Sequence, residues 1–407
     1  MSAMPLKGLR VLDLSKVLAG PLCAQYLGDM GADVVKIESL GDGDETRGWP
    51  PFRSDVDAVG EAGRGKTGTI FLAANRNKRS LAVDLRSPAG LAVVHRLAEQ
   101  SDVVIESFGP GAAARLGVVA ASLRARNPRL VCCSISGYGS VGPMREGKGY
   151  DVILQAFCGM LAITGERDGP PVRSPFSPVD QATGLHALIA IQAALLERSR
   201  TGEGASVEVS LFDSATGFLG YFLQGYWERG TEPQRPGSGH ESLCPYEVFP
   251  TADKPLILGV ANDTLWRAFC KVAGLQDVVD DERFRTNAAR VAHREETVAI
   301  VRGALARRGR DEWIREFGAV GIPCSPLHTL GELSAHPHAR ASGMVFDYDD
   351  PRRGRLQGVA QPVRFDGDRP ALRRPPPAHG EHGGEILREC GFSDAEIERM
   401  VAEKVVK

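Results

Sequence analysis

LRVLDLSKVLAGPLCAQYLGDMGADVVKIE, residues 9–38, is the stretch that decides the fold. Residues 9–14 (LRVLDL) are a short apolar run that reads as a strand. Gly20 and Pro21 open a helix that runs through Met30 and ends at Gly31, and residues 32–38 (ADVVKIE) read as a second strand. A strand, a helix and a strand of these lengths fit a parallel pair joined by a crossover helix. The alternation continues with a strand over 80–85, a helix over 88–100, a strand over 102–108, a short helix from Gly111 and a strand over 130–136. Strands alternating with helices predict an open, loosely Rossmann-like α/β sheet. The Gly-x-Gly-x-x-Gly fingerprint is missing after the first strand, where residues 14–20 read LSKVLAG. No nicotinamide or flavin dinucleotide is therefore expected.

Further along, helices are predicted over 150–160 and 181–200, the second long, apolar and central. A Gly turn at 201–204, a strand over 205–211 and an apolar helix over 212–229 follow, then a Gly/Pro linker over 231–241. The expected organisation is a large α/β domain over 1–212, a linker helix and Gly loop over 213–240, a smaller α+β domain over 241–334 and a tail over 335–407.

Composition narrows the function classes. The 407 residues are 43% hydrophobic and 25% charged, with a formal net charge of -2. No field of one sign exists to gather nucleic acid or an anionic membrane. No apolar run approaches the roughly 18 residues of a membrane span, and the N-terminus lacks a signal pattern. A cytoplasmic protein with neither nucleic acid nor membrane as partner is expected. The eight cysteines form no C-x-x-C pair and read as reduced, buried thiols. The nine histidines show no metal spacing, so no metal is expected.

Five stretches are able to carry chemistry. Asp180 lies where the extended run PVRSPFSPV gives way to the long helix, with no opposite charge near it in sequence. It reads either as a helix N-cap or as a carboxylate kept for reaction. Residues 106–112 (ESFGPGA), with Arg115 beyond, sit at a strand end opening a helix, where backbone N–H groups favour an anion; a plain tight turn is the other reading. Residues 75–80 (NRNKRS) are a solvated charge run or a polyphosphate clamp. Residues 134–139 (SISGYG) are a strand end opening into a Gly loop, with Tyr138 structural or facing a ligand. Residues 237–241 (GSGHE) are a Gly loop with one histidine, able to close over a site. The P-loop letter match at residues 60–67 (GEAGRGKT) follows a polar stretch, and the stretch after it is short and runs into Asn and Arg, so it is discounted.

Taken in order, these segments resemble the class III CoA-transferase family over nearly the whole chain. The similar stretches are residues 6–38, TRGWPPF, NRNKRSLAVDL, ESFGPGAAARLG, SISGYG, PVRSPFSPVDQATG, LLERSRTGEGASVEVSL, GIPCSPLHTLGEL and GEHGGEIL. The PVR…D…TG and GSGHESLCPYEVF segments are most similar to transferases that use succinyl-CoA and a dicarboxylate such as glutarate or itaconate. The resemblance implies two interlocked rings in a homodimer, with the tail returning to its own large domain. It implies coenzyme A thioesters and small carboxylic acids as substrates, with no metal and no redox nucleotide. It makes Asp180 the nucleophile, ionised at neutral pH by the helix start. It places CoA along Val17, Leu18, Ser39, Val83, Asp84, Leu85, Arg86, Ser107, Phe108, Gly109, Arg115, Ser136, Gly137, Tyr138 and Gly139. Relatives carry Arg, Asn and Lys where this chain has Ser39, Ser107 and Ser136. Gly237, Gly239 and His240 form the substrate loop, whose N–H groups, or those near Tyr138, would stabilise oxyanions. Arg173 and His240 are candidates for an acceptor's distal carboxylate. Two alternatives stand beside this reading. One is an α-methylacyl-CoA racemase on the same fold, whose His-Asp pair is here Tyr150-Asp151, with Tyr a poor base at neutral pH. The other is a CoA-binding protein without activity.

Overall fold

The computed structural model describes residues 4–52 and 67–407. The chain gathers into two compact units. One holds the chain up to Cys158, Pro175–Leu223 and Pro337–Lys407; the other holds Gly159–Ser174 and Gln224–His336. Residues 159–174, expected in the large domain, pack with the second unit. Arg235 donates to the carbonyls of Glu166 and Gly169 at 3.1 and 2.7 Å, and the Gly237 amide donates to Gly165 at 3.0 Å. The expected helix over 212–229 is two helices, Leu211–Phe218 and Gly220–Arg229, and residues up to Leu223 stay with the first unit.

In the first unit β1 (Arg10–Leu14), β2 (Asp33–Glu38), β3 (Lys78–Ala82), β4 (Val103–Glu106), β5 (Val131–Ser136) and β6 (Ser206–Ser210) form one sheet. All neighbours are parallel, in the order β3-β2-β1-β4-β5-β6. This is the open α/β sheet that the alternation predicts. Most strand residues from β1 to β5 are buried, as helices covering both faces of a parallel sheet require. Strand order reverses between β1 and β4, and in such sheets that reversal opens a crevice at the carboxyl ends of the strands.

Among the helices around that crevice are α1 (Ala19–Asp29), α2 (Asp151–Phe157), α3 (Pro178–Thr201) and α4 (Leu211–Phe218). α3 begins at Pro178, three residues before the expected start, because proline is pre-set for the first helical position. It ends where Gly202 takes φ +80°, a conformation that glycine adopts without strain. Contrary to the sequence reading, α3 is by length and composition long and apolar enough to cross a membrane. In the first unit it packs on α1, where Gly184 comes against Ala19 and Cys23. A Cβ on Gly184 would stand 2.6 Å from the Ala19 carbonyl oxygen, so only glycine allows this approach.

The interior between β1, β2 and β3 is charged. Lys78 Nζ lies 2.9 Å from Asp13 Oδ2 and donates to the Pro21 carbonyl and Asn75 Oδ1, each at 2.8 Å. Lys36 Nζ donates to the Ser15 carbonyl at 2.9 Å and lies 3.0 Å from Asp44. Arg47 grips Glu38 with two bonds of 2.7 Å and stacks on Phe71. Arg76 pairs with Asp29, and Arg79 with Asp33, Glu385 and Glu389. The NRNKRS run is thus neither a solvated surface nor a phosphate clamp: Arg76, Lys78 and Arg79 are buried and bonded to acids of the fold. Burial alone would raise the Asp13 carboxyl; the Lys78 and Lys36 ammoniums and the Ser15 hydroxyl hold it below the usual carboxylate range instead.

Within the same unit the chain end runs back along β3. His382 N donates to the Ser80 carbonyl at 2.9 Å, and Lys407 N to that of Ala82 at 3.1 Å. The second unit is built on an antiparallel sheet of β7 (Tyr246–Phe249), β8 (Leu256–Gly259) and β9 (Cys324–Pro326). Trp266, Phe269, Trp313 and Phe317 fill its core. Of the discounted P-loop match, residues 60–66 lie outside the described residues.

Candidate active site

A cleft of about 690 Å³ opens in the first unit at the carboxyl ends of β1, β4, β5 and β6, at the reversal of strand order. Val17, Leu18, Ser107, Phe108, Gly109, Ser136, Gly137, Gly139 and Asp180 all line it, so residues spread over the sequence meet in one place. Each is held by its turn. Val17 takes φ +70°, which β-branched residues avoid. The buried charges hold the turn in that form: Ser15 N donates to Asp13 Oδ1 at 3.0 Å, Val17 N to Asp44 Oδ1 at 3.4 Å, and Lys36 grips the Ser15 carbonyl. Ser107 Oγ accepts from Lys16 N at 3.1 Å, joining the β1 and β4 turns. Ser136 Oγ accepts from Gly139 N at 3.0 Å and closes the β5 turn.

Asp180 is the third residue of α3, inside its first turn rather than at the cap. Ser177, the residue before the helix, takes φ +52° and gives no side-chain cap. Asp151 of α2 does that work. Its Oδ2 accepts from the backbone N–H groups of Val179 (2.8 Å) and Asp180 (3.1 Å), and its Oδ1 accepts from Gln155. Asp180 is left partly exposed to the cleft. Burial, and then the Asp151 charge, push its carboxyl up from 3.8 to about 7. This corrects the expectation that the helix start keeps it ionised at neutral pH: burial and a like charge both act against the anion.

Other expected positions fall elsewhere. Leu85, Arg86 and Arg115 line a second depression of about 500 Å³. Val83 is a core residue bridged to Val406, and Asp84 turns its carboxylate to its own loop, accepting from Arg86 N. Ser39 Oγ bonds the Gly43 carbonyl and lines neither cavity. Tyr138 is buried edge-on to Phe157 at 5.2 Å, the structural of its two readings. Gly237, Gly239, His240 and Arg173 belong to the second unit. The Gly237 and Gly239 amides donate to the carbonyls of Gly165 and Pro236, so these two are not the free oxyanion donors expected of them.

The cleft also holds residues that the sequence did not single out for it: Lys16, Arg145, Lys148 and Tyr150. A signal for the last two was present in Gly147 and Gly149, which flank Lys148. A Cβ on Gly137 would stand 2.7 Å from Gly149 N, so the β5 turn and the 147–150 segment touch backbone to backbone. Gly137→Ala is therefore expected to displace Lys148 and Tyr150 and to reduce kcat/KM for acyl-CoA roughly tenfold to a hundredfold. Calorimetric titration with CoA checks this: wild-type affinity in that variant removes the contact as a determinant of the cleft.

A family model described as CoA-transferase family III matches residues 6–383. The chain belongs to this family. It is 39% identical over 386 residues to the succinate–glutarate CoA-transferase of Agrobacterium fabrum, covering 95% of each chain. It is 36% identical to the succinyl-CoA:glutarate CoA-transferase of Mus musculus, covering 100% of this chain and 91% of that one. With the formyl-CoA:oxalate CoA-transferase of Escherichia coli it shares 32% identity over 423 residues, covering 97% of this chain and 98% of that one. A crystal structure of a CAIB/BAIF family protein from Brucella suis superimposes with a TM-score of 0.83 at 36% identity, covering 96% of this chain and all of that one. As a family III CoA-transferase the chain is an enzyme acting on CoA thioesters, which removes the reading without activity.

Proposed function

We propose that this family III CoA-transferase moves CoA from succinyl-CoA to a small dicarboxylate such as glutarate or itaconate, with Asp180 as the nucleophile that carries CoA between them. The observation that carries the reading is the Asp180 carboxylate itself, in no ion pair among the described residues, in the cleft at the switch point of the sheet. Its anion attacks the thioester carbonyl; the C–S bond breaks, and a mixed anhydride forms with CoA thiolate released. The thiolate attacks the aspartyl carbonyl, and the donor acid leaves as its carboxylate. The acceptor carboxylate then repeats these steps in reverse. Two easy exchanges replace one hard one, and the acyl activation is never lost to water. A carboxyl near 7 is a stronger nucleophile than an ordinary one while remaining partly ionised at neutral pH.

The dicarboxylate rests on the identity with two glutarate transferases. Self-association into a homodimer is supported by Leu185, Ile189 and Leu196 on α3, with Phe218 and Tyr221, all exposed and apolar. The return of the chain end to β3 is compatible with the interlocked form. Free cysteines fit a reducing, cytoplasmic setting. The racemase alternative has less support, because the acid beside Tyr150, Asp151, has both oxygens engaged in hydrogen bonds. A matrix of acyl-CoA donors against free acids, read by mass spectrometry, tests the proposal. Succinyl-CoA with glutarate or itaconate is expected to give the highest turnover. A preference for formate or another monocarboxylate over every dicarboxylate would overturn it.

A further inference from the structure

Resting on Asp180 as the nucleophile, the geometry points to Asp151 as the positioning residue of the exchange. Its carboxylate holds the first turn of α3, and its charge drives Asp180 toward its acylated, neutral forms.

A helix start leaves N–H groups to be satisfied, and a side chain of the residue before the helix usually does it. Here Ser177 is turned into the left-handed region and contributes no side-chain bond. An acid 29 residues away in sequence takes the N–H groups of Val179 and Asp180. Asp151 is 8% exposed, and Gln155 donates to its other oxygen. The backbone of the nucleophile is thus fixed by a second carboxylate, and two acids share one helix start.

That pairing has a chemical consequence. Each covalent form of Asp180, anhydride or thioester, carries no charge. Repulsion from Asp151 acts on the free anion and vanishes on acylation. Asp151 therefore biases the internal equilibrium toward covalent intermediates while holding their backbone in register. Lys16, Glu45, Glu106, Arg145, Glu146, Lys148 and Glu208 line the same cleft, Tyr150 precedes Asp151, and His186 on α3 bonds Ser214 of α4. Asp151 is the charged neighbour that raises the Asp180 carboxyl, after burial.

Asp151→Asn is the test, because an amide oxygen still accepts from Val179 and Asp180 while the charge is gone. Two readouts are taken on the full-length enzyme with succinyl-CoA and no acceptor: the fraction of aspartyl-CoA adduct by intact mass, and the pH dependence of hydroxylamine capture. The adduct fraction is expected to fall roughly tenfold, and the acid limb to move down by about one pH unit. Asp151→Glu, which restores the charge, is expected to return the limb toward the wild-type position. An Asp151→Asn enzyme with unchanged limb and unchanged adduct overturns the inference. Wild-type enzyme forming no adduct on Asp180 instead removes the nucleophile, and this inference with it. Wild-type protein alone gives a further check if the variants do not fold. Its capture rate should rise through about pH 7, and a limb below about pH 5, near that of an ordinary carboxylate, overturns the coupling.

Discussion

Asp180→Ala is expected to lose CoA transfer by roughly 10⁴- to 10⁶-fold, the scale on which removal of a covalent nucleophile is felt. The fold should survive, because the α3 cap uses the backbone N–H of residue 180 and the Asp151 carboxylate, both of which the variant keeps. Stability should even rise above neutral pH. A carboxyl whose folded-state value is raised from 3.8 to about 7 binds its proton more tightly folded than unfolded. Stability linked to it is fully present below about 4 and declines as pH rises through about 7. The variant lacks that decline, so its melting temperature at pH 8 should equal or exceed wild type. CoA affinity should stay near wild type, since the Val17, Ser107 and Ser136 turns are untouched. Hydroxylamine added during wild-type turnover should leave a hydroxamate on Asp180, located by peptide mass spectrometry. A label on any other residue, or wild-type-like turnover by the alanine variant, would remove Asp180 from its role.

The sheet was legible from sequence because its strands are short apolar runs divided by glycine and proline, as in residues 9–38. The cleft was legible in part, because Gly109, Gly137 and Gly139 mark the strand ends that build it. The partners of buried charge were not legible. Lys78 looks like one of three cations in a polar run until β3 is placed two strands from β1, where Asp13 waits. The state of Asp180 was hidden for the same reason. Locally it has a helix dipole to favour its anion, and nothing in residues 171–190 announces that Asp151 shares that helix start. Chain separation, not residue type, concealed both features: a charge reads as solvated until packing supplies its counterpart.

Lys78→Met should destabilise the fold by about 3–5 kcal/mol, because it removes the nearest counter-charge of a carboxylate that has no route to water. Asp13 is 0% exposed, and its Oδ2 has Lys78 Nζ at 2.9 Å and Lys36 Nζ only at 4.0 Å. Methionine matches the lysine stem in volume, so little of the loss comes from a cavity. Denaturant unfolding should show a lower midpoint with an unchanged slope. The double variant Asp13→Asn/Lys78→Met should recover much of the loss, since removing both charges of a buried pair is far milder than removing one. Additive losses in the double variant would show that the pair does not act as a pair. The same substitution should reach the cleft. Lys78 holds the Pro21 carbonyl at the start of α1, and Asp13 holds the Ser15 amide two residues before the strained Val17. With its support loosened, Val17 should relax from φ +70° toward a commoner conformation, weakening CoA binding even at temperatures where the variant remains folded. CoA affinity measured well below the melting temperature decides this: wild-type affinity in a destabilised Lys78→Met protein would confine the buried charges to stability and separate them from the shape of the site.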